Sequence, residues 1–356
     1  MNGQLDHVDV CCGLNWGDEA KGKIVSELAK SGKYDMICRW GGGNNAGHTI
    51  YIDGTKYKTH LIPGGVFYNI PSIIGPDCVV NQQGFEEEIN YLKQCGFNTD
   101  CIKISPKAHV VTDKHIEEDI KHYRKIGSTA KGIAPCYRDK YARLGTMVKD
   151  VAYFTPYLWD ERLHGTILCE GAQGVWLDIN QGNYPYTTSS TTLPYGACSL
   201  GFPPQLIRNI YGATKIYDTR AGIDPLFPPD LLDNRELTKI GLAGHEIGTT
   251  TGRTRTVNWL NMDKLVQAIN ITGATIIIIS KVDILKKVEL FKLSYDNEII
   301  KFETINVMLE FISNCLYDRC SLVKDIIYSE SPEHITKPIS DKKVCDTRIN
   351  DLCLTE

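Results

Sequence analysis

The sequence predicts an α/β fold: a central, mostly parallel β-sheet carrying a P-loop-like phosphate loop, with flanking helices and a small antiparallel subdomain. Three observations support this. Short apolar runs, at 8-12 and 276-279 among others, alternate with helix-length amphipathic stretches, as in a parallel sheet with crossover helices. The first run passes into Gly13-Leu14-Asn15-Trp16-Gly17-Asp18-Glu19-Ala20-Lys21-Gly22-Lys23, whose Gly17-x4-Gly22-Lys23 has the spacing of a loop that wraps phosphate at a helix N-terminus. Residues 284-301 alternate apolar and polar positions around Tyr295-Asp296-Asn297, which reads as a late antiparallel hairpin.

In chain order, strand 8-12 leads into the phosphate loop and helix 22-31 leaves it. Strand 35-39 ends before a glycine triplet, and strand 72-75 and helices 85-95 and 114-125 follow. Strand 166-169 precedes a second glycine loop, helix 203-210 leads to strand 213-217, and helix 261-270 leads to strand 275-280. Helix 303-315 closes the pattern.

The 356 residues, 42% hydrophobic and 23% charged, can bury a large core, and we expect one elaborated domain over 1-356 with a solvated tail after about residue 336. A net charge of -4 gives no basic footprint for nucleic acid or an anionic membrane. The apolar runs are far below the roughly 20 residues a membrane span needs, and the first residues do not read as a signal peptide, so a cytoplasmic location is expected. The 13 cysteines are scattered without a C-x-x-C pair, which predicts reduced core thiols, neither a zinc site nor a disulfide framework.

The chemistry-bearing segments fall at predicted strand ends, where ligands collect in open α/β sheets. In the phosphate loop, Ile24 stands where a P-loop has the Ser or Thr that holds magnesium, so Asp18 is the candidate metal ligand. Gly41-Gly42-Gly43-Asn44-Asn45-Ala46-Gly47-His48-Thr49 allows close backbone approach, and His48 can donate to a developing anion. The run from Gly127 through Ser128, Thr129 and Lys131 to Tyr137, Lys140 and Arg143 reads either as a second anion site or as a loop with a solvated helix face. In Glu170-Gly171-Ala172-Gln173-Gly174, Gln173 can meet the edge of a base, and the hydroxyl run 187-192 is either a phosphate site or a polar surface loop. Residues 248-255 put Arg253 and Arg255 behind a hydroxyl-rich turn, and Ser280-Lys281-Val282-Asp283 is similar to the guanine-reading N-K-x-D element.

Together, 16-23, 45-49, 132-135 with Tyr137, Lys140 and Arg143, 170-174, 184-189 and 250-259 resemble the adenylosuccinate synthetase family from near the N-terminus to about residue 335. The resemblance implies a GTP-dependent ligase that joins IMP to L-aspartate, giving adenylosuccinate, GDP and phosphate with Mg2+ present. It implies Asp18, His48 and Gln173 as catalytic residues. Gly17, Glu19, Lys21, Gly22, Lys23, Arg255, Lys281, Asp283 and Ser329 would bind GTP. Asp18, Asn45, Thr129, Arg143, Gln173, Thr188 and Arg253 would bind IMP, while Thr250, Thr251 and Arg253 would bind aspartate. Asp18 and the Gly47 carbonyl would hold the metal. Arg143 would reach the neighbouring subunit of a homodimer with shared sites.

Departures from the family pattern are Asn15 for Gln, Ala20 for Gly, Asn44 for His, Ala134 for Gly, and Gly222-Ile223-Asp224-Pro225 for Gly-Ala-Gly-Pro near the expected nucleotide sugar. Two alternatives stay open. One is a phage-type relative using dGMP, to which Ile223-Asp224 points and against which Asp18 stands. The other is a guanine-nucleotide switch without ligase activity, which would share the phosphate loop and Asp283.

Overall fold

The computed structural model describes residues 4-227, 234-247 and 252-335. Strand β1 (Leu5–Gly13) is buried from Val8 onward, as a strand covered on both faces must be. Its side chains alternate between two cores: Val8, Val10 and Cys12 enter one and Cys11 the other. Helix α1 (Lys21–Lys30) and strand β2 (Met36–Arg39) follow, then the hairpin of β3 (His48–Ile52) and β4 (Thr55–Thr59). Next come β5 (Ser72–Ile74), β6 (Val79–Asn81), α2 (Gln82–Gln94), β7 (Ile102–Ile104), β8 (His109–Val111), α3 (Asp113–His122) and α4 (Ile133–Ala142). The second half adds β9 (Gly165–Glu170), β10 (Ile207–Lys215), β11 (Tyr217–Arg220), α5 (Arg235–Ala243), β12 (Thr256–Asn261) and α6 (Met262–Thr272). It ends with β13 (Ile276–Ser280), α7 (Val282–Val288), β14 (Lys292–Tyr295), β15 (Glu298–Lys301), α8 (Ile305–Arg319) and β16 (Asp325–Tyr328).

Eight strands form one sheet in the order β16-β13-β10-β1-β9-β2-β5-β7, and every neighbouring pair is parallel. Ile24 and Val25 of α1 pack on one face with Cys11, Ile37 and Leu168. Leu265 and Ile269 of α6 and Met308 and Ile312 of α8 belong to the core on the other face, with Val10 and Cys12. A sheet wound on both sides leaves its crevice at the carboxyl ends of the central strands, which places the site. The smaller sheet, β11-β12-β14-β15, is antiparallel except at the β12–β14 pair. The described cysteines are free thiols, and those in the central strands are buried.

The expected central strands and most helices are present, with three corrections. The helix expected at 203-210 is a short 3-10 turn, Pro204–Leu206, followed at once by β10. Ile207 and Ile210 have helical spacing, but pairing to β1 and β13 on both sides makes this segment an inner strand. The strand expected at 213-217 spans the end of β10 and the start of β11, which belong to different sheets. The late hairpin starts only at β14, because 282-288 is the helix α7. The tail after 336 lies outside the described residues.

Candidate active site

The phosphate loop is shaped by a buried carboxylate. Glu19 accepts hydrogen bonds from the backbone N–H of Asn15 (3.1 Å) and Gly17 (2.8 Å) and pairs with Lys21 Nζ at 2.6 Å. Asp18 and Ala20 both take left-handed backbone conformations, with φ of 62° and 68°. Ala20 is the N-cap of α1 and gives it no side-chain cap, and no acid occupies the first turn. The leading amides of α1 are therefore not engaged by a capping side chain, which suits a phosphate. Gly22 brings β3 against this turn: a Cβ there would lie 2.7 Å from His48 Cβ.

His48 starts β3 and is held from behind. Its Nδ1 pairs with Glu170 Oε1 and lies 3.3 Å from Arg39 Nη2. Arg39 also pairs with Glu170 at 2.8 Å, and the second Glu170 oxygen accepts from Gly64 N–H at 2.8 Å. Burial and the Arg39 charge lower the His48 pKa, and Glu170 opposes them. Although burial disfavours the charged form of Glu170, Arg39 and His48 hold its pKa at about 2. His48 Nε2 is buried without a protein partner among the described residues. Gln173 borders the same cavity in a left-handed conformation, and its buried Oε1 is also unpartnered.

Asp18 meets Arg255 across the cavity, with Nε donating to Oδ2 at 2.8 Å. Arg255 also pairs with Glu246 at 2.6 Å, and Glu246 accepts from Lys215 Nζ (2.9 Å) and Tyr217 O–H (2.7 Å). Glu246 is buried, which alone would raise its pKa, but Lys215 and Arg255 hold it at about 2. This fixed carboxylate anchors Arg255 and leaves Asp18, with a side chain 26% exposed, as the member of the cluster that can turn toward a ligand.

At the other end, Lys281 is the N-cap of α7 and donates to the Gly244 carbonyl at 2.8 Å, and Asp283, two residues on in the first turn, borders the cavity. Lys23 Nζ donates to Ser329 Oγ at 2.7 Å and to the Ser331 carbonyl at 3.0 Å, and burial lowers its pKa to about 8. Ser329, just beyond β16, is fully buried. It meets the cavity through Lys23, and Ser331 and Pro332 form the wall itself.

All of this converges on one cavity of about 1060 Å³. Gly17, Asp18, Glu19, Lys21, Gly22 and Lys23 border it, as do Asn45, Gly47, His48, Thr129, Gln173, Thr188, Arg255, Lys281 and Asp283. Two expected residues stand elsewhere. Arg253 donates to the carbonyls of Gly127 and Ser128, each at 3.0 Å, and so clamps the loop that carries Thr129. Arg143 is exposed at the end of α4. Thr250 and Thr251 lie outside the described residues. Ser128, considered for an anion site, instead donates to buried Asp119. Arg220 and Ala221 line the cavity near the expected sugar, whereas Asp224 is buried, accepting from Asn183 Nδ2 at 2.8 Å. The sequence assigned no role to Glu170, though it lies in the 170-174 loop, and did not single out Glu246. Glu170 had a signal, an acid at a strand end before a glycine loop, while Glu246 lies between Gly244 and Gly248, just ahead of the segment 248-255. Among the described residues no cluster of three or more His, Cys, Asp or Glu side chains could hold a metal alone, and no helix is long and apolar enough to cross a membrane.

Comparison with known proteins agrees with this geometry. The adenylosuccinate synthetase family model matches residues 10-164 and 147-311. Adenylosuccinate synthetase of Lysinibacillus sphaericus is 35% identical over 86% of this chain and 84% of its own length. That of Clostridium botulinum is 33% identical over 96% of this chain and 95% of its own. The fully ligated adenylosuccinate synthetase of Plasmodium falciparum superposes with a TM-score of 0.75 at 26% identity, covering 92% of this chain and 98% of that one. A cyanophage S-2L succinoaminodeoxyadenylate synthetase bound to dGMP and dATP superposes with a TM-score of 0.64 at 19% identity, covering 88% of this chain and 100% of that one; this shows a shared fold alone. The chain belongs to the adenylosuccinate synthetase family.

Proposed function

We propose that this chain ligates L-aspartate to IMP at the expense of GTP, through a 6-phosphoryl-IMP intermediate, using the residues gathered in the cavity. The observation that carries the reading is the placement of Asp18, His48 and Gln173 around one phosphate loop, with Asp283, in the first turn of α7, bordering the same cavity. Asp18, released from Arg255, takes the N1 proton of the hypoxanthine, and O6 then attacks the γ-phosphorus. His48, as the imidazolium that Glu170 stabilises, donates from Nε2 to the phosphoryl oxygens as charge develops. The aspartate amine attacks C6 and phosphate leaves with the electron pair of the C6–O bond. Lys21, Lys23 and the loop amides receive the GTP phosphates, and Asp283 accepts from the guanine N–H groups. Asn45, Thr129 and Thr188 hold the nucleotide phosphate.

The donor set suits Mg2+: a hard cation that takes one or two carboxylates, carbonyls and substrate phosphates needs no side-chain cage. Asp18 and the Gly47 carbonyl would hold it, and when bound it would neutralise phosphate charge. Arg143 stands beside Tyr141 and Leu144, 67% and 78% exposed, and serves the site of a second copy in a homodimer. The enzyme acts in the cytoplasm.

Family membership disfavours the nucleotide-switch reading. IMP is favoured over dGMP because Asp18 is retained and the cavity wall near the sugar is Arg220 and Ala221, with Asp224 bonded inward. The test supplies IMP, GMP and dGMP separately with GTP and aspartate, measuring phosphate release and succinylated product. Product from IMP supports the proposal; product from dGMP but none from IMP overturns it.

A further inference from the structure

Among the described residues, Lys56 is the cation of the cavity wall without a protein partner. Lys21 is held by Glu19, Lys23 by Ser329, Lys215 and Arg255 by Glu246, and Lys281 by the Gly244 carbonyl. The two remaining, Arg138 and Arg220, are held by Glu118 and by the Tyr186 carbonyl. Lys56 sits on β4 directly across from Tyr51 on β3, and both border the cavity. The root of this hairpin is fixed where His48 packs on Gly22, so the Tyr51–Lys56 pair lies about 10 Å further along the wall.

Lys56 is exposed, and an unpaired ammonium bordering a substrate cavity is matched by an anion that the rest of the site does not neutralise. On the proposed reaction, the GTP phosphates meet the loop amides, Lys21 and Lys23, and the IMP phosphate meets Asn45, Thr129, Thr188 and Arg143 of a second copy. The amino-acid substrate brings two carboxylates, but its expected partners are two neutral threonines and Arg253, whose guanidinium already clamps two carbonyls. One carboxylate is left without a cation. We propose that Lys56, aided by the Tyr51 hydroxyl, binds a carboxylate of the amino-acid substrate, and that the β3–β4 hairpin is a wall of the aspartate subsite. This inference rests on the ligase reading.

The test is steady-state kinetics of Lys56→Ala and Lys56→Arg, varying aspartate, IMP and GTP in turn. Losing one charge-assisted hydrogen bond should raise the KM for aspartate about 10-fold or more in Lys56→Ala. The KM values for IMP and GTP should stay within about twofold and kcat within about threefold, and Lys56→Arg should recover most of the loss. An unchanged KM for aspartate, or a change confined to either nucleotide, overturns the assignment. Wild-type protein without aspartate-dependent turnover overturns the ligase reading itself, and the subsite with it.

Discussion

Asp18 and Arg255 form an ion pair at 2.8 Å, although 237 positions separate them in the chain. The acid expected to take a proton from the purine is thus held, in this state, by a cation that Glu246 pins from its other side. The pair must open when nucleotides enter. Arg255→Met removes both contacts and leaves Glu246 with Lys215 and Tyr217. We expect a rise in the KM for GTP and a fall in kcat/KM of roughly 10- to 100-fold, the usual cost of a lost charged partner. Steady-state kinetics with GTP varied will check this.

Glu170 positions His48 without lining the cavity. Glu170→Gln removes the group that opposes burial and Arg39, so the kinetic pKa assigned to His48 should move to lower pH. The kcat should fall by about 10²-fold, at the low end for general acid catalysis. Buried Arg39 also loses its counter-charge, which costs about 3 kcal/mol of stability. The pH–rate profile separates these effects: a stability loss alone would leave the inflection in place.

Ala20 holds a left-handed conformation that a glycine adopts without strain. Ala20→Gly should relieve about 1 kcal/mol of backbone strain, partly offset by the greater freedom of glycine in the unfolded chain. Urea unfolding should show a small net stabilisation. A loss of more than about 1 kcal/mol would mean that the methyl group packs usefully.

Asp218 lies behind the phosphate loop, where it accepts from Asn261 N–H at 3.0 Å and from the Asn15 amide. Burial raises its pKa to about 7. The folded protein therefore binds a proton that the unfolded chain, near pH 4, has released. Stability from this group is full below about pH 4 and is lost as pH rises through about 7. Asp218→Asn should flatten the fall of Tm across that window, and an unchanged slope would show that another group is responsible.

The parallel sheet and phosphate loop were legible because buried strands write continuous apolar runs and close backbone approach to an anion demands glycine in a local motif. Helix 203-210 was misread because Ile207 and Ile210 fit a helical period, while pairing partners far away in the chain decide for a strand. Glu246 was invisible for a related reason. Its meaning comes from Lys215, Tyr217 and Arg255, which approach it only through the folding of β11 and β12. Lys56 gave no sequence signal either, since a lysine near a hairpin turn is ordinarily solvated.

The central claim is that the Asp18 carboxylate transfers the proton that makes the purine oxygen a nucleophile. Asp18→Asn keeps the size of the side chain and removes the base, and it should be compared with wild type for GTP binding by calorimetry and for IMP- and aspartate-dependent phosphate release. The account predicts GTP affinity within about threefold and turnover reduced by 10³-fold or more. Turnover within about tenfold of wild type, with GTP bound normally, would contradict it.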